Sequence, residues 1–372
     1  MFFRKMEDMK HLIFFILLFT SFYAKAISFE DAIFPELATS SRALAMGNAF
    51  IAKADDSSAA FYNPAGLGSV RYPHLHLSNF SFETNKGAIQ SATGGTLTSA
   101  FSDLTKLESL DGMRTLLNKN AGNIAHFRMH ALPNFTTRYF SMGYLYAKRI
   151  RAVVNSTTAT NGFEFADRLD YGPYAALNFS LFGGIFKFGA SGIWLTRKEI
   201  STTSDPQATL VLGPNSYSKG TAFVVTSGVK LVLPVTFLPT FAATMHNSLH
   251  KTFSAGGAGA PTTIPSSVDF GFSVTPQIGT ATRVCMELDY KDFSGAYTGI
   301  SATRRFLAGL EFDFSRTFFF RLGYGDGFGS AGLGVRSPKL EFDLTTYAVD
   351  TTSSAFRGKE DRRFVIGLSS GF

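Results

Sequence analysis

The chain has 372 residues, of which 45% are hydrophobic, 15% aromatic and 17% charged, with 40 Phe but a single Trp and a single Cys. This composition excludes a disordered chain, a coiled coil and a small disulfide-stapled domain. The formal net charge is +7, from 35 Lys plus Arg and 28 Asp plus Glu, but no run of five or six basic residues occurs. We therefore expect no nucleic-acid partner, and we expect apolar side chains where a soluble protein would carry surface charge.

The first 26 residues have the pattern of a secretory signal peptide. Arg4, Lys5 and Lys10 precede an uncharged stretch, 11–24, which ends in the small-residue cleavage pattern Ala24-Lys25-Ala26. The stretch is shorter than the ~20 residues that a membrane-spanning helix needs. We expect cleavage after Ala26 of a signal that begins at Met1 or Met9; the alternative is an uncleaved anchor.

The rest of the chain offers no membrane helix, since its longest apolar candidate, 231–245, is broken by Pro234 and Pro239. Only helices and closed barrels can cross a bilayer, because every backbone polar group must be paired there. An exported chain with this excess of apolar residues is therefore predicted to be a β-barrel whose apolar signal is dispersed at period two.

Alternation at period two is visible in three stretches. Apolar residues alternate with Glu287 and Asp289 in 284–290, with Glu311 and Asp313 in 306–314, and with Glu341 and Asp343 in 340–344. Alternation alone also fits a soluble sandwich, in which the apolar face points inward. The signal peptide and the low charge favour a membrane barrel with the apolar face outward and the carboxylates in the lumen.

Turn residues between the alternating stretches divide the chain into about fourteen strands of ~9–11 residues. We place them at 72–84, 124–133, 135–152, 168–182, 185–200, 217–233, 236–250, 267–277, 281–293, 302–314, 316–324, 329–337, 339–350 and 361–372. Leucines at helical spacing predict an amphipathic helix over 103–118. Stretches rich in Gly, Ser and Thr at 86–99, 201–220 and 251–267 are predicted to be extracellular loops.

Two segments of this sequence resemble known outer-membrane proteins. The stretches 42–50 and 54–67 resemble the N-terminal region of the FadL and TodX type of transporters for hydrophobic compounds. The matching residues are Gly47, Ala49, Asp55, Asp56, Ser57, Tyr62, Asn63, Pro64 and Ala65. The last strand ends on Phe372 and resembles the C-terminal signal that the barrel-assembly machinery of outer membranes reads.

The resemblance implies an all-β fold: a transmembrane antiparallel barrel (71–372, with a helical or loop insertion at about 86–122) and an N-terminal hatch, 27–70, inside its lumen. It also implies the outer membrane of a Gram-negative-type bacterium, contact with outer-membrane lipid, and passive uptake of long-chain fatty acids or other hydrophobic compounds without a cofactor. Release would be sideways through a kinked strand, for which Pro133 and the run Gly94-Gly95 are candidates. An alternative function is a structural or assembly barrel that serves as a partner in a secretion or surface-attachment system.

The hatch and the lumen supply the candidate site residues. The hatch set comprises Gly47, Asp55, Asp56, Phe61, Tyr62, Asn63, Pro64, Ala65 and Leu67. Among these, Phe61, Tyr62 and Leu67 could line an apolar ligand site or merely pack the plug. The second set is a luminal charge belt of ion pairs that pins hatch and wall, because unpaired buried charge is costly. It comprises Glu287, Asp289, Glu311, Asp313, Arg321, Glu341 and Asp343, with Arg283, Arg304 or Arg305 as further cations.

Motifs for catalysis and metal binding are weak. The glycine pattern at 327–332 precedes strand-like sequence and not a helix, and the Gly-x-Ser-x-Gly pattern at 367–371 lies in the last strand. The histidine pairs lack a completing Cys or carboxylate at metal-ligand spacing, and Cys285 is alone. We therefore predict no enzyme activity and no metal site.

Overall fold

The computed structural model describes residues 35–93, 105–279, 281–352 and 357–371, and within them the chain is built mainly of antiparallel strands. The predicted signal peptide, Gly94-Gly95 and Phe372 lie outside these residues. The strands are β1 (His74–Asn85), β2 (Ile124–Ala131), β3 (Asn134–Thr136), β4 (Phe140–Val154), β5 (Phe163–Leu181), β6 (Phe186–Ser204), β7 (Ser218–Val232), β8 (Thr240–His246), β9 (Ser267–Val274), β10 (Gln277–Ile278), β11 (Thr282–Tyr290), β12 (Phe306–Phe314), β13 (Phe318–Gly325), β14 (Phe328–Arg336), β15 (Leu340–Asp350) and β16 (Glu360–Gly371).

The strands form one closed barrel. β1 and β4 each pair with both β2 and β3, β11 pairs with both β9 and β10, and β1 pairs with β16. The remaining pairings join strands that are neighbours in the chain. β2 and β3 are two pieces of one barrel strand, interrupted at Leu132 and Pro133, and β9 and β10 are likewise interrupted at Thr275 and Pro276. Counted this way, the described residues contain fourteen barrel strands, which confirms the predicted fold class.

The outer face of the barrel carries the apolar side chains that the alternation predicted. On β11, Met286 is 48% exposed and Leu288 is 58% exposed, whereas Glu287 and Asp289 are buried. Other exposed apolar side chains on the strands include Phe80, Phe82, Leu177, Phe179, Trp194, Phe223, Phe241, Phe270, Phe318, Phe320, Leu333, Phe342 and Ile366. This band explains how a chain with 40 Phe has so few charges: apolar side chains occupy the outer face of its strands.

The two ends of the barrel differ. At one end, here called the turn end, the connections are short, as at 137–139, 315–317 and 337–339. The opposite end, the loop end, carries the long connections 205–217, 247–266 and 291–305. In outer-membrane barrels the short turns face the periplasm and the long loops face outward.

The connection between β1 and β2 at the loop end contains helices, and its structure corrects two sequence predictions. The stretch 86–99, predicted to be a loop, begins with helix α3 (Lys86–Thr93), because the Asn85 side chain accepts the Ala88 N–H at 2.9 Å and caps it. The helix predicted over 103–118 is two pieces, a 3₁₀ turn (Thr105–Glu108) and helix α4 (Leu110–Leu117). Ser109 separates them, since its hydroxyl accepts the Gly112 N–H at 3.1 Å as the cap of α4.

Several predicted strand boundaries were also wrong. The strand predicted over 168–182 begins at Phe163, the one predicted over 236–250 covers only Thr240–His246, and the one predicted over 302–314 begins at Phe306. The strand predicted over 135–152 begins only at Phe140, because 137–139 form a turn in which the Thr137 hydroxyl accepts the Phe140 N–H at 3.0 Å. The three residues before that turn belong to β3. None of the described helices is long and apolar enough to cross a membrane.

The described part of the hatch, 35–70, lies inside the barrel. It contains helix α1 (Ser41–Ala45), helix α2 (Ala59–Tyr62) and a 3₁₀ helix (Pro64–Ser69). The segment from Arg42 to Ala52 is buried throughout. Its buried backbone N–H and C=O groups therefore need hydrogen-bond partners, some of them on the barrel wall.

Candidate functional site

Two carboxylates of β11 hold the hatch by its backbone. The Asp289 carboxylate accepts the N–H groups of Phe50 and Ile51 at 2.7 and 3.0 Å. The Glu287 carboxylate accepts those of Ala52 and Lys53 at 2.6 and 3.0 Å. Successive N–H groups of a turn converge on an anion, so each carboxylate satisfies two backbone donors that water cannot reach.

Arg42 joins the acidic hatch motif to the wall. Its guanidinium donates to both carboxylate oxygens of Glu311 at 2.6 Å, to Asp55 at 2.6 Å and to Asp56 at 3.2 Å. Arg321 on β13 donates to the same Glu311 at 2.8 Å and also to Asp343. Three predicted site residues therefore converge on Arg42, which was not among the predicted residues although it opens the matching motif.

The charge balance of this cluster keeps the hatch acids ionised. Burial by itself would raise the pKa of the Asp55 carboxyl, but the neighbouring Arg42 and Lys53 outweigh it and hold that pKa well below its usual range. Lys53 lies 3.2 Å from Asp55. The paired charges are mutually compensated, as burial requires.

The Asn63-Pro64 turn packs closely against β7 of the barrel wall, at Gly228 and Val229. The Asn63 side chain accepts the Ala65 N–H at 3.1 Å and donates to the carbonyls of Ile51 and Val229 at 3.1 and 3.3 Å. A Cβ on Gly228 of β7 would lie 2.1 Å from the Asn63 amide oxygen. The absence of a side chain at Gly228 therefore leaves room for the hatch against β7.

Gly47 and Tyr62 shape the hatch itself. Gly47 has a positive φ of 67°, and a Cβ there would lie 2.5 Å from the backbone of Tyr324 on β13, so only glycine fits. The Tyr62 hydroxyl donates to Asn48 at 2.8 Å, and its ring packs edge-on against Phe50 with centroids 5.4 Å apart. Both residues therefore help to determine the conformation of the hatch.

Phe61 and Leu67 pack against an apolar half of the lumen that the sequence analysis missed. The Phe61 ring contacts Tyr174 of β5 edge-on, with centroids 5.0 Å apart. The same buried cluster includes the following wall and loop residues: Leu132, Leu145, Ile193, Leu195, Ala222, Val224 and Phe253. The available signal was that the middle parts of β6 (189–195) and β7 (222–228) are apolar or small on both faces, which is unusual for a strand whose inner face meets water.

The strand formed by β2 and β3 is irregular where this apolar cluster reaches it, at a point called here the break in the wall, although hydrogen bonds to β1 and β4 continue across it. Leu132 and Pro133 separate β2 from β3, and the Leu132 N–H donates to the Asn79 carbonyl of β1 at 2.9 Å. The pairing of β1 with β16 is also irregular there, between His76 and Ser78. Pro133 therefore lies at a break in the wall, as predicted for a kinked strand; its role in lateral release is a prediction.

A cavity of about 100 Å³ lies between the hatch and this part of the wall. Ser58 of the hatch and Leu132 line it, together with Phe80 and Leu368, which are also exposed on the outer face of the barrel. Charged side chains, among them Arg42, Asp56 and Glu341, line the rest of it. The cavity therefore lies directly behind the wall at β1 and β16.

The remaining predicted charges have other partners. Asp313 accepts the backbone N–H of Arg316 at 2.7 Å, and Glu341 pairs with Arg336 at 2.7 Å near the turn end. At the loop end, Arg304 donates to Asp326 at 2.5 Å. Arg305 pairs with Asp292 at 2.9 Å. Within the described ranges no group of three His, Cys, Asp or Glu side chains could hold a metal ion.

The sequence matches no protein-family model, and comparison with curated proteins gives no match. Solved structures do match. The Pseudomonas putida toluene transporter TodX is 9% identical with a TM-score of 0.50, covering 90% of this chain and 99% of that one. A TodX mutant titled a monoaromatic hydrocarbon channel is 10% identical with a TM-score of 0.50, covering 90% and 99%. A Pseudomonas aeruginosa FadL homologue is 13% identical with a TM-score of 0.47, covering 90% and 98%.

At these identities the likeness concerns the fold. The chain has the outer-membrane barrel fold of the TodX structures over nine-tenths of its length, and the resemblance inferred from the N-terminal motif is confirmed at that level.

Proposed function

We propose that this protein is a channel of a Gram-negative-type outer membrane for the passive uptake of hydrophobic compounds, with long-chain fatty acids among them. One observation carries the proposal: buried apolar side chains form a single cluster from Phe253 at the loop end, past Phe61 of the hatch, to Leu132 at the break in the wall. A polar solute would gain nothing from such a lining, whereas an apolar one would stay out of water along it. The solved structures of the same fold include proteins described as toluene and monoaromatic hydrocarbon channels.

Passage along this lining requires the hatch to move. A pocket that buries a drug-sized ligand measures roughly 300–1,000 Å³. The cavity between hatch and wall is about 100 Å³, too small for a long-chain fatty acid. We infer that displacement of the hatch, and not chemistry, controls uptake.

A reversible tether between hatch and wall tests this inference. A Cβ on Gly367 of β16 would lie 3.2 Å from the Cβ of Ser41 in α1, close to the separation that a disulfide spans after a small adjustment. The double variant S41C/G367C, built with Cys285→Ser so that no other thiol is present, should therefore form a disulfide. Uptake of radiolabelled oleate by cells that lack their own fatty-acid channel should fall at least about tenfold when the pair is oxidised and recover on reduction.

The reduced double variant and the single Cys285→Ser variant are the matched controls. Uptake that is the same in oxidised and reduced cells would show that the hatch need not move. Absence of protein-dependent uptake of oleate and toluene alike would reject the channel. A fixed envelope protein recovered with the barrel in that case would favour the structural or assembly function.

A further inference from the structure

A second, larger cavity of about 490 Å³ lies under the hatch at the turn end of the barrel. Eight Lys or Arg side chains line it, against three acidic ones. Apolar contributions come from Val232, Leu238 and Phe319. The cavity is therefore strongly basic with an apolar section of wall, unlike the lining that leads to Leu132.

Three of the eight cations are already neutralised. Arg42 and Lys53 pair with Asp55, and Arg336 pairs with Glu341. The other five are Arg71, Lys187, Lys230, Arg283 and Arg316. Within the described residues none of these five has a carboxylate within 4.0 Å.

Two of the five cations are buried. Lys187 and Lys230 are 7% and 6% exposed. Their ammonium groups have only neutral oxygens as partners: the Ser69 hydroxyl at 2.8 Å and the Ala54 carbonyl at 3.4 Å. Burial of an ammonium group is costly, and the nearest carboxylates, Asp55 and Glu287, act on these lysines only from beyond 4.0 Å. An anion that enters the cavity would therefore be favoured.

The three arginines crowd one another near the mouth. Arg71 lies three residues before the start of β1, Arg283 lies on β11, and Arg316 lies in the turn between β12 and β13. Partial burial together with the like charges of Arg283 and Arg316 lowers the pKa of Arg71 from its ordinary value. Asp313 is engaged by the backbone N–H of Arg316, and Asp55, which also acts on Arg71, already pairs with Arg42 and Lys53. Mutual repulsion of this kind is relieved by a bound anion.

We propose that this cavity is a binding site for a phosphate-bearing anion at the turn end of the barrel. A carboxylate carries one negative charge and two oxygens in one plane, and a single arginine can neutralise the charge and donate to both oxygens. A phosphate monoester carries nearly two negative charges and several acceptor oxygens, which match several guanidinium forks and the two ammonium groups. The apolar section at Val232 and Phe319 leaves room for an organic substituent. The site is independent of the hydrophobic route proposed above.

The test measures binding of radiolabelled inorganic phosphate to the full-length protein in detergent at low salt. The variant R71Q/R283Q/R316Q should bind at least about tenfold more weakly, since charge-assisted hydrogen bonds to a phosphate are lost. Arg357→Gln is the matched control: it removes the same charge at the loop end, where Arg357 donates to the Gly327 carbonyl, and it should leave binding unchanged. Heat-modifiable gel migration checks that the triple variant is folded, and Arg316→Gln alone, in an exposed turn, should give a smaller loss.

Further ligands identify the source of the phosphate. Dihexanoyl phosphatidic acid below its micelle concentration should compete at least as well as inorganic phosphate. If it binds more than about tenfold tighter, the site takes a lipid headgroup, and if the two are equal, it takes free phosphate esters. Phosphate binding that is undetectable, or that survives in the triple variant, or that acetate displaces equally well, would overturn the proposal. None of these outcomes depends on oleate uptake.

Discussion

Replacement of Arg42 by Gln tests whether the hatch is fixed by buried ion pairs. The Arg42 side chain is 7% exposed and bridges Glu311, which is 3% exposed, to Asp55 and Asp56 of the hatch. Gln keeps a hydrogen-bonding amide of similar length but removes the positive charge. The substitution leaves the barrel wall unaltered, so its effect should be confined to the hatch.

The expected cost follows from this geometry. Removing one partner of a buried ion pair costs about 3–5 kcal/mol, because the remaining charge stays buried. Here the remaining acids keep other cations: Glu311 keeps Arg321 at 2.8 Å, and Asp55 keeps Lys53 at 3.2 Å. We therefore expect the substitution to lower the free energy of local opening of the hatch by the lower end of this range, about 3 kcal/mol.

Hydrogen exchange of the purified barrel measures that opening. A loss of about 3 kcal/mol raises the exchange rate of the hatch amides roughly a hundredfold, most clearly at Phe50 and Ile51, whose N–H groups bind Asp289. The matched control is Arg336→Gln, since Arg336 and Glu341 form a pair of similar length, 2.7 Å against 2.6 Å for Arg42 and Glu311, but are 35% and 27% exposed. Such a pair contributes only about 0–1 kcal/mol. Equal exchange of the hatch in both variants would refute the view that buried ion pairs fix it.

Two further predictions concern the backbone of the hatch and the lipid face. Gly47→Ala should lower the free energy of hatch opening by at least about 2 kcal/mol in the same exchange measurement, because the left-handed backbone and the contact with Tyr324 both oppose a Cβ. Gly329→Ala is the control, since its Cβ would have no atom closer than 3.9 Å. Equal exchange in the two variants would contradict the prediction. Met286→Arg, in the outward-facing apolar band, should lower the free energy of unfolding in phospholipid vesicles by about 2–4 kcal/mol. Val211→Arg, at a loop residue that is 87% exposed, should leave it unchanged. Equal free energies of unfolding for the two variants would place Met286 outside the bilayer.

Much of the wall could be predicted from local pattern alone. Alternation identified the strands that carry Glu287, Glu311 and Asp343 and placed these side chains in the lumen, because side-chain direction in a strand changes at every residue regardless of what the strand contacts. The turn at Asn63-Pro64 could be predicted for a similar reason, since it depends on the backbone of those two residues. The break at Pro133 was also visible, because proline cannot donate to a strand ladder.

Only the closed barrel decides which of these residues meet. Arg42 reaches Glu311 across 269 positions of sequence, and the apolar cluster that joins Phe253 to Leu132 exists only because four neighbouring strands, β4 to β7, bring their inner faces together. The basic cavity at the turn end likewise combines Arg71, Lys187 and Arg283 from three separate parts of the chain. Local pattern determines the face on which a side chain lies, while register and closure of the sheet determine its partners, and the partners decide what the lumen can bind.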